Sequence, residues 1–236
     1  MGENRDQAVS SAAPKADNTL SRRTFAIGVG STVALLGLGA LKFVPAEALV
    51  RPPGGQDEAT LLSKCTHCNR CVGACPYDII KPQELDRGLV GMRLPYMQFS
   101  RNTPGVLDSL QYCDFCVREN GGTPRCVHVC PTGALSQDGL TADNYKLGVA
   151  VIDANLCMAY RSGYCAYCHD ACEIARGADK AAITYVGSAD DQSRLPVVNA
   201  DLCNGCGACE SVCVSIQAGS TRDVRERAIV IRPLSA

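Results

Sequence analysis

Cysteine is the residue type in this chain whose number and spacing could carry chemistry. The chain has 16 cysteines in 236 residues, far above ordinary usage. Every cysteine falls into one of four groups of four, with none left over. The groups are Cys65, Cys68, Cys71 and Cys75; Cys113, Cys116, Cys126 and Cys130; Cys157, Cys165, Cys168 and Cys172; and Cys203, Cys206, Cys209 and Cys213.

The spacing within the groups is typical of iron–sulfur ligands. The first group reads C-x2-C-x2-C-x3-C-P, the bacterial ferredoxin spacing, and the fourth repeats it without the proline. The two middle groups keep its closing part and enlarge one loop. In two-cluster ferredoxins three thiolates surround one cubane and the fourth ligates the neighbouring cluster. The pattern therefore predicts four 4Fe–4S clusters with all sixteen cysteines as iron ligands. Glu173 and Val214 replace the proline in groups three and four, which alters the loop but leaves the ligands complete.

Other uses of these thiols remain open from the residues alone. Sixteen thiols could make eight disulfides, but cysteines only two or three residues apart rarely bridge without strain. Four structural zinc sites are possible, although zinc ribbons use paired C-x2-C units separated by longer loops. Cys165-Ala166-Tyr167-Cys168-His169 also has the form of a haem attachment motif, but both cysteines are needed in the third group. His67 and His128 are predicted to face solvent or donate hydrogen bonds near the clusters.

Composition limits the function further. The net charge is −1 and no basic stretch occurs, so nucleic-acid binding is not expected. Tryptophan is absent and phenylalanine occurs four times, so metal clusters are expected to contribute to folding. There is no nucleophile–base pair and no Gly-rich phosphate loop. These features favour an electron carrier over an enzyme.

The first 48 residues have the pattern of an export signal. Ser21-Arg22-Arg23-Thr24-Phe25 matches a twin-arginine signal, and residues 24–41 carry no charge. Ala46-Glu47-Ala48 resembles a small-residue cleavage site, although an uncleaved membrane anchor is the alternative. We therefore expect a periplasmic protein with residues 1–48 as the signal, 49–60 as a linker, and 61–236 as the four-cluster domain.

Short strand patterns flank the later groups. Strands are predicted at 148–153 and 195–199, before groups three and four, and at 182–186 and 228–231, after them. A short helix is expected to start at the last cysteine of each group. The fold class is therefore α+β, with small strands and short helices arranged as two ferredoxin-like two-cluster modules, in tandem or nested.

The pairing of the groups is predicted from the connections between them. The gap between Cys130 and Cys157 is the shortest, at 26 residues, which favours groups two and three as one module inside a second module of groups one and four. In this nested arrangement Cys213 ligates the first group's cluster and Cys75 ligates the fourth group's cluster. Likewise, Cys172 ligates the second group's cluster and Cys130 ligates the third group's cluster. Sequential pairing, one with two and three with four, is the alternative.

Several segments resemble a known family. They are Arg22 and Arg23, Arg51-Pro52-Pro53-Gly54, Cys65–Lys81, Cys130–Leu135, Leu147–Val151 and Cys203–Glu210. Together they resemble the ferredoxin-type electron-transfer proteins of periplasmic nitrate reductase and methylamine utilisation systems, the NapG/MauM family. The loop at 117–125 and the stretch at 92–111 depart from it.

The resemblance implies a function and partners. It implies four 4Fe–4S clusters that relay electrons from a membrane-bound, quinol-oxidising ferredoxin-type protein to a periplasmic oxidoreductase such as nitrate reductase. The alternatives are an electron-transfer subunit of a molybdenum oxidoreductase, in which nested pairing is usual, or a redox-sensing or zinc-binding module. Reduction potentials and oligomeric state do not follow from the sequence.

Overall fold

The computed structural model describes residues 21–41, 49–87, 91–99, 107–108, 110–136, 139–186, 194–215 and 227–234. The chain divides into two compact units, Met1–Lys42 and Phe43–Ala236. In the first unit, helix α1 spans Arg22–Leu41. No helix among the described residues combines the length and apolar character needed to cross a membrane. The predicted cleavage site at 46–48 lies outside the described residues.

The second unit consists of short helices and strands. Its helices are α2 (Glu58–Lys64), α3 (Arg70–Ala74), α4 (Val117–Asn120), α5 (Arg125–His128), α6 (Met158–Ser162), α7 (Tyr167–Arg176) and α8 (Ala208–Val212). Its strands are β1 (Ile80–Pro82), β2 (Pro95–Met97), β3 (Gly148–Ile152), β4 (Ile183–Val186), β5 (Leu195–Val198) and β6 (Ile229–Pro233), and two 3₁₀ turns lie at Leu85–Arg87 and Ala178–Lys180. The predicted mixture of helix and strand is confirmed.

The strands form three antiparallel pairs, β1–β2, β3–β6 and β4–β5. The four strands predicted around groups three and four are all present, and their bounds differ from the predicted ones by at most two residues. The strand before group three pairs with the strand after group four, and the strand after group three pairs with the strand before group four. Strands β1 and β2 were not predicted, because each has only three residues and carries a proline.

The segment predicted as a linker is packed into the unit. Val50 and Arg51 are buried, and the Met97 N–H donates to the Val50 carbonyl at 2.7 Å. The Arg51 guanidinium donates to the Pro95 carbonyl at 3.2 Å and pairs with Glu58. The Arg-Pro-Pro-Gly motif therefore has a structural role, because its arginine and the preceding Val50 bind the start of the second unit to strand β2.

The prediction that a short helix starts at the fourth cysteine of each group is wrong, because the short helices lie before that cysteine in groups one, two and four. Helices α3 and α8 end at Cys75 and Cys213, each of which is the C-terminal cap. Cys75 has extended angles, φ −74° and ψ 114°, because the following Pro76 disfavours helical geometry. In group three, helix α7 instead contains Cys168 and Cys172. In groups one and four the fourth cysteine therefore lies just beyond the helix and not at its start.

The loops of groups one and four share a backbone path. His67 and Asn69 in the first have positive φ angles of 55° and 58°, and Gly205 and Gly207 in the fourth have 73° and 86°. Group four needs glycine here because its loop is tightly packed. A Cβ atom on Gly207 would lie 2.1 Å from the ring of Phe99, which is only 1% exposed.

Candidate iron–sulfur sites

The first thiol set contains Cys65, Cys68 and Cys71 from group one and Cys130 from group two. All four line one cavity, together with residues that include Leu61 and Leu135. The pKa of the Cys71 thiol is raised to about 11, mainly by burial and further by the other three thiols of the set. Helix α3 packs against helix α5, and this contact brings the two groups together.

The second thiol set contains Cys113, Cys116 and Cys126 from group two and Cys75 from group one. Cys113 is buried, and burial raises the pKa of its thiol well above the ordinary value. The Cys126, Cys75 and Cys116 thiols raise it further. Groups one and two therefore exchange their fourth cysteines.

The third thiol set contains Cys157, Cys165 and Cys168 from group three and Cys213 from group four. The pKa of Cys168 is raised to about 12, first by burial and then by Cys165, Cys213 and Cys157. Cys165 is half-buried, and its pKa is raised by burial and by the same neighbours.

The fourth thiol set contains Cys203, Cys206 and Cys209 from group four and Cys172 from group three. These four cysteines line a second cavity, and all four are buried. The pKa of Cys206 is raised to about 12, mainly by burial, with Cys172 and Cys203 adding to the effect.

The structure contradicts the predicted nested pairing. Cys130 lies with Cys65, and Cys213 lies with Cys157, so the groups pair sequentially. The prediction used only the length of chain between groups. The arrangement instead follows from the flanking strands. The strands on either side of group three pair with the strands on either side of group four, in the β3–β6 and β4–β5 ladders, and this holds the two groups together. The length of a connection does not by itself decide which strands form hydrogen bonds, because strand pairing also depends on which faces of the strands are buried.

Each set has the chemistry that a cluster requires. A thiol must lose its proton to bind iron, and most of these buried thiols have raised pKa values. The cationic iron–sulfur core of a cluster would offset that cost, whereas four buried thiolates without a cation would repel one another. No three His, Cys, Asp or Glu side chains in the described residues approach closely enough to share a single metal ion. A cubane cluster does not require the thiols to converge on a single ion, because each thiolate binds a different iron atom.

Backbone N–H groups point at several of the cysteine sulfurs. Such hydrogen bonds stabilise negative charge on the sulfur and are one means by which a protein sets a cluster's reduction potential. In the first set the donors are His67 to Cys65 at 3.4 Å and Leu135 to Cys130 at 3.5 Å. In the second and fourth sets they are Arg125 to Cys116 at 3.5 Å, Ala150 to Cys203 at 3.4 Å and Ala182 to Cys172 at 3.2 Å.

Two polar residues that the sequence analysis did not single out shape the loops. Asp114 follows the first cysteine of group two and accepts the Cys116 N–H at 2.7 Å. Asn204 follows the first cysteine of group four and accepts the Cys206 N–H at 3.2 Å. Asp and Asn side chains commonly stabilise turns by accepting the N–H two residues ahead. The sequence C-[D/N]-x-C was the available signal.

The second and fourth sets adjoin. The Cys113 N–H donates to the Cys206 carbonyl at 2.8 Å. Tyr112, Cys206 and Val212 belong to one buried cluster there. The backbone thus connects a ligand of each set through a single hydrogen bond.

A buried carboxyl lies beside the fourth set. Glu210 is 1% exposed and accepts the Ile231 N–H at 2.7 Å through Oε2, while its Oε1 has no hydrogen-bond partner in the described structure. Burial raises the pKa of this carboxyl to about 8, although the Ile231 hydrogen bond and Arg227 oppose the shift.

The histidines are placed outside the thiol sets. His67 is exposed, although it lines the first cavity, and His128 is exposed. The ring of His169 stacks on Tyr185 at a centroid distance of 4.6 Å. Cys165 and Cys168, the cysteines of the haem-like motif, both belong to the third set.

Comparison with known proteins agrees with this geometry. A model of the 4Fe-4S dicluster domain matches residues 64–135, which cover groups one and two, and a 4Fe-4S binding domain matches residues 195–218. These matches support 4Fe–4S binding by the chain. No solved structure matches it.

Three curated relatives cover most of the chain. The ferredoxin-type protein NapG of Escherichia coli is 31% identical over 210 residues, 88% of this chain and 80% of that protein. The methylamine utilization ferredoxin-type protein MauM of Methylorubrum extorquens is 32% identical over 214 residues, 88% of this chain and 89% of that protein. The ferredoxin-type protein NapF of Escherichia coli is 31% identical over 70% of this chain and 79% of that protein. The chain therefore belongs to the NapG/MauM family of ferredoxin-type proteins.

Proposed function

We propose that this protein is a periplasmic electron carrier that holds four 4Fe–4S clusters in two tandem two-cluster modules. It takes electrons from a quinol-oxidising membrane protein and delivers them to a periplasmic oxidoreductase such as a nitrate reductase. When bound, the clusters supply one-electron redox chemistry.

One observation carries the proposal: all sixteen cysteines gather into four sets of four thiols. Each set draws three thiols from one group and one from its neighbour, as in two-cluster ferredoxins. The chain's contribution is to bury the sulfurs, to donate N–H groups to them, and to fix the sets relative to one another.

The contacts between the thiol sets support a linear order of the four clusters, namely first, second, fourth and third. The second and fourth sets adjoin at the Cys113–Cys206 hydrogen bond. The first set lies beside the second, since Cys71 raises the pKa of Cys126. The third lies beside the fourth, since Cys168 raises the pKa of Cys209. We therefore place the first and third sets at the two ends.

The family resemblance and the leader support the proposed location and partners. Ser21–Phe25 has the twin-arginine pattern, and this export route carries proteins that have already folded around their cofactors. The sequential pairing argues against the alternative of a molybdenum oxidoreductase subunit, for which nested pairing was expected.

Metal analysis of anaerobically purified protein tests the cluster assignment. We expect about sixteen irons and sixteen acid-labile sulfides per chain, four of each per cubane. Two or more zinc ions with negligible iron would refute it. EPR of undamaged oxidised protein should show no 3Fe–4S signal, because every set is complete.

Reduction by a quinol analogue tests the route. The purified protein should be reduced slowly by the quinol alone and rapidly when membranes of the native host are added. Rapid reduction without membranes would contradict the proposed partner, because it would place quinol oxidation within this chain.

A further inference from the structure

The first thiol set is the one most open to solvent. Cys68 is the only one of the sixteen cysteines, all of which the structure describes, that is exposed. Its set-mates Cys65, Cys71 and Cys130 are half-buried, whereas the fourth set is entirely buried. Electron exchange between proteins requires a close approach to the redox group, so the first set is a natural contact point.

Two basic side chains, Arg70 and Arg93, line this opening, and Lys64 immediately precedes Cys65 in the sequence. We call Lys64, Arg70 and Arg93 the basic rim. All three are exposed. Arg70 and Arg93 line the cavity of the first set, and no Asp or Glu is among the described residues that line it. The Arg93 N–H donates to the Gln83 carbonyl at 2.8 Å, which fixes the position of that residue's backbone.

The acidic residues that flank the first group in sequence lie outside the cavity and have other partners, although Asp57 also attracts Lys64. Asp57 caps the opposite end of α2 by accepting the Ala59 N–H. Glu58 pairs with the buried Arg51, and Asp78 pairs with Lys81. The opening of the first set therefore presents a positive surface.

The opening of the third set has a different character. Asp170 and Glu173 lie within 3.4 Å and 3.7 Å of the His169 ring, and Asp170 also raises the pKa of Cys165. Tyr164, one residue before that cysteine, is 66% exposed. Carboxylates therefore lie beside the opening of the third set, together with the exposed Arg161 of α6, whereas no carboxylate among the described residues lines the first cavity.

We propose that the basic rim is the docking surface for an acidic redox protein that exchanges electrons with the first cluster. This inference rests on the proposed function and specifies the partner's surface at one end. Opposite charges around two redox groups steer their encounter and align them, and the effect weakens as salt screens it.

The test uses a strongly acidic flavodoxin as the probe. Its fully reduced flavin gives one electron to the oxidised cluster and becomes a semiquinone. Second-order reduction rates are measured by stopped flow for the wild type and R70E/R93E. The control is R161E/R194E, which makes the same charge change at two exposed arginines in the second half of the chain. R70Q/R93Q serves as a milder second variant.

At low ionic strength R70E/R93E should react about 10-fold more slowly than the wild type, and the rates should converge at high salt. R70Q/R93Q should fall in between, and the control should stay within about 2-fold of the wild type. The affinity of the oxidised proteins for each other, measured by calorimetry, should change in the same order.

Three results would overturn the inference. They are reduction rates that are insensitive to both double reversals, a larger effect of R161E/R194E than of R70E/R93E, and, when binding to phosphatidylglycerol vesicles is measured as well, loss of vesicle binding by R70E/R93E with unchanged flavodoxin kinetics. The last would show that the rim faces anionic lipid instead of a protein. Iron content is measured in every variant, so loss of the clusters, which would count against the proposed function, is distinguished from loss of docking.

Discussion

Replacing Gly207 by alanine should destabilise the fourth thiol set. Gly207 has a φ of 86°, and a Cβ atom there would lie within 2.1–2.4 Å of three atoms of the Phe99 ring. The left-handed conformation costs a non-glycine residue about 1–2 kcal/mol. Forcing an extra carbon into a well-packed core typically costs about 1–3 kcal/mol more. Together the two effects predict a loss of about 2–5 kcal/mol.

Asn69 provides a matched control for the backbone term. It occupies the equivalent position in group one, with a φ of 58°, and is half-buried without such a clash. Asn69→Ala places alanine in the same conformation in an open loop, so it should lose about 1 kcal/mol. The difference between the two variants isolates the contact with Phe99.

The assay follows cluster absorbance in guanidinium under anaerobic conditions, because cluster proteins unfold irreversibly and a rate is the appropriate measure. Gly207→Ala should bleach at least about 5-fold faster than Asn69→Ala, since the expected difference is at least about 1 kcal/mol and this corresponds to a factor of about five. Adding Phe99→Ala to Gly207→Ala should remove the clash term, so the two changes should be non-additive. Equal bleaching rates for the two single variants would refute the packing argument.

The other predictions concern ligand exchange, pH and export. Cys68→Ala and Cys130→Ala should each lose the same cluster, about four irons, and the double variant should lose no more; a loss of about eight would contradict the first thiol set. Because burial raises the pKa of Glu210 from 4.5 to about 8, folding takes up a proton and the protein should become less stable as pH rises between these values. Glu210→Gln should flatten that dependence of the cluster-loss rate, and an unchanged slope would exclude Glu210 as its source. Changing Arg22 and Arg23 together to lysine should leave the precursor in the cytoplasm, as detected by fractionation and immunoblotting; normal export would indicate another route.

Much of the local structure could be predicted from short patterns. The runs Gly148–Ile152 and Leu195–Val198 contain β-branched residues before each later group, and both form strands. Cysteine spacing likewise indicated which three thiols of each group would cluster. These features depend on residues close together in the chain.

Long-range pairing could not be predicted in the same way. Which strand hydrogen-bonds to β3 depends on the packing of residues around Ile229, far along the chain. The buried roles of Arg51 and Phe99 were also missed, because an arginine beside two prolines and a lone phenylalanine carry no periodic signal. Tertiary contacts decide such positions, and a single sequence does not display them.

The β3–β6 ladder has a consequence for synthesis of the protein. It joins segments roughly 80 residues apart in the chain. At bacterial translation rates of about 5–20 residues per second, β3 emerges roughly 4–16 s before its partner strand. For about 2–9 s of that interval, the time needed to add the roughly 45 residues after Cys168, the Cys157, Cys165 and Cys168 thiols are available without Cys213, while the segment spanning groups one and two is already complete. Nascent chains can therefore receive iron in the first half before the second half closes, and the timing of cluster delivery relative to translation becomes a control point for correct ligand exchange.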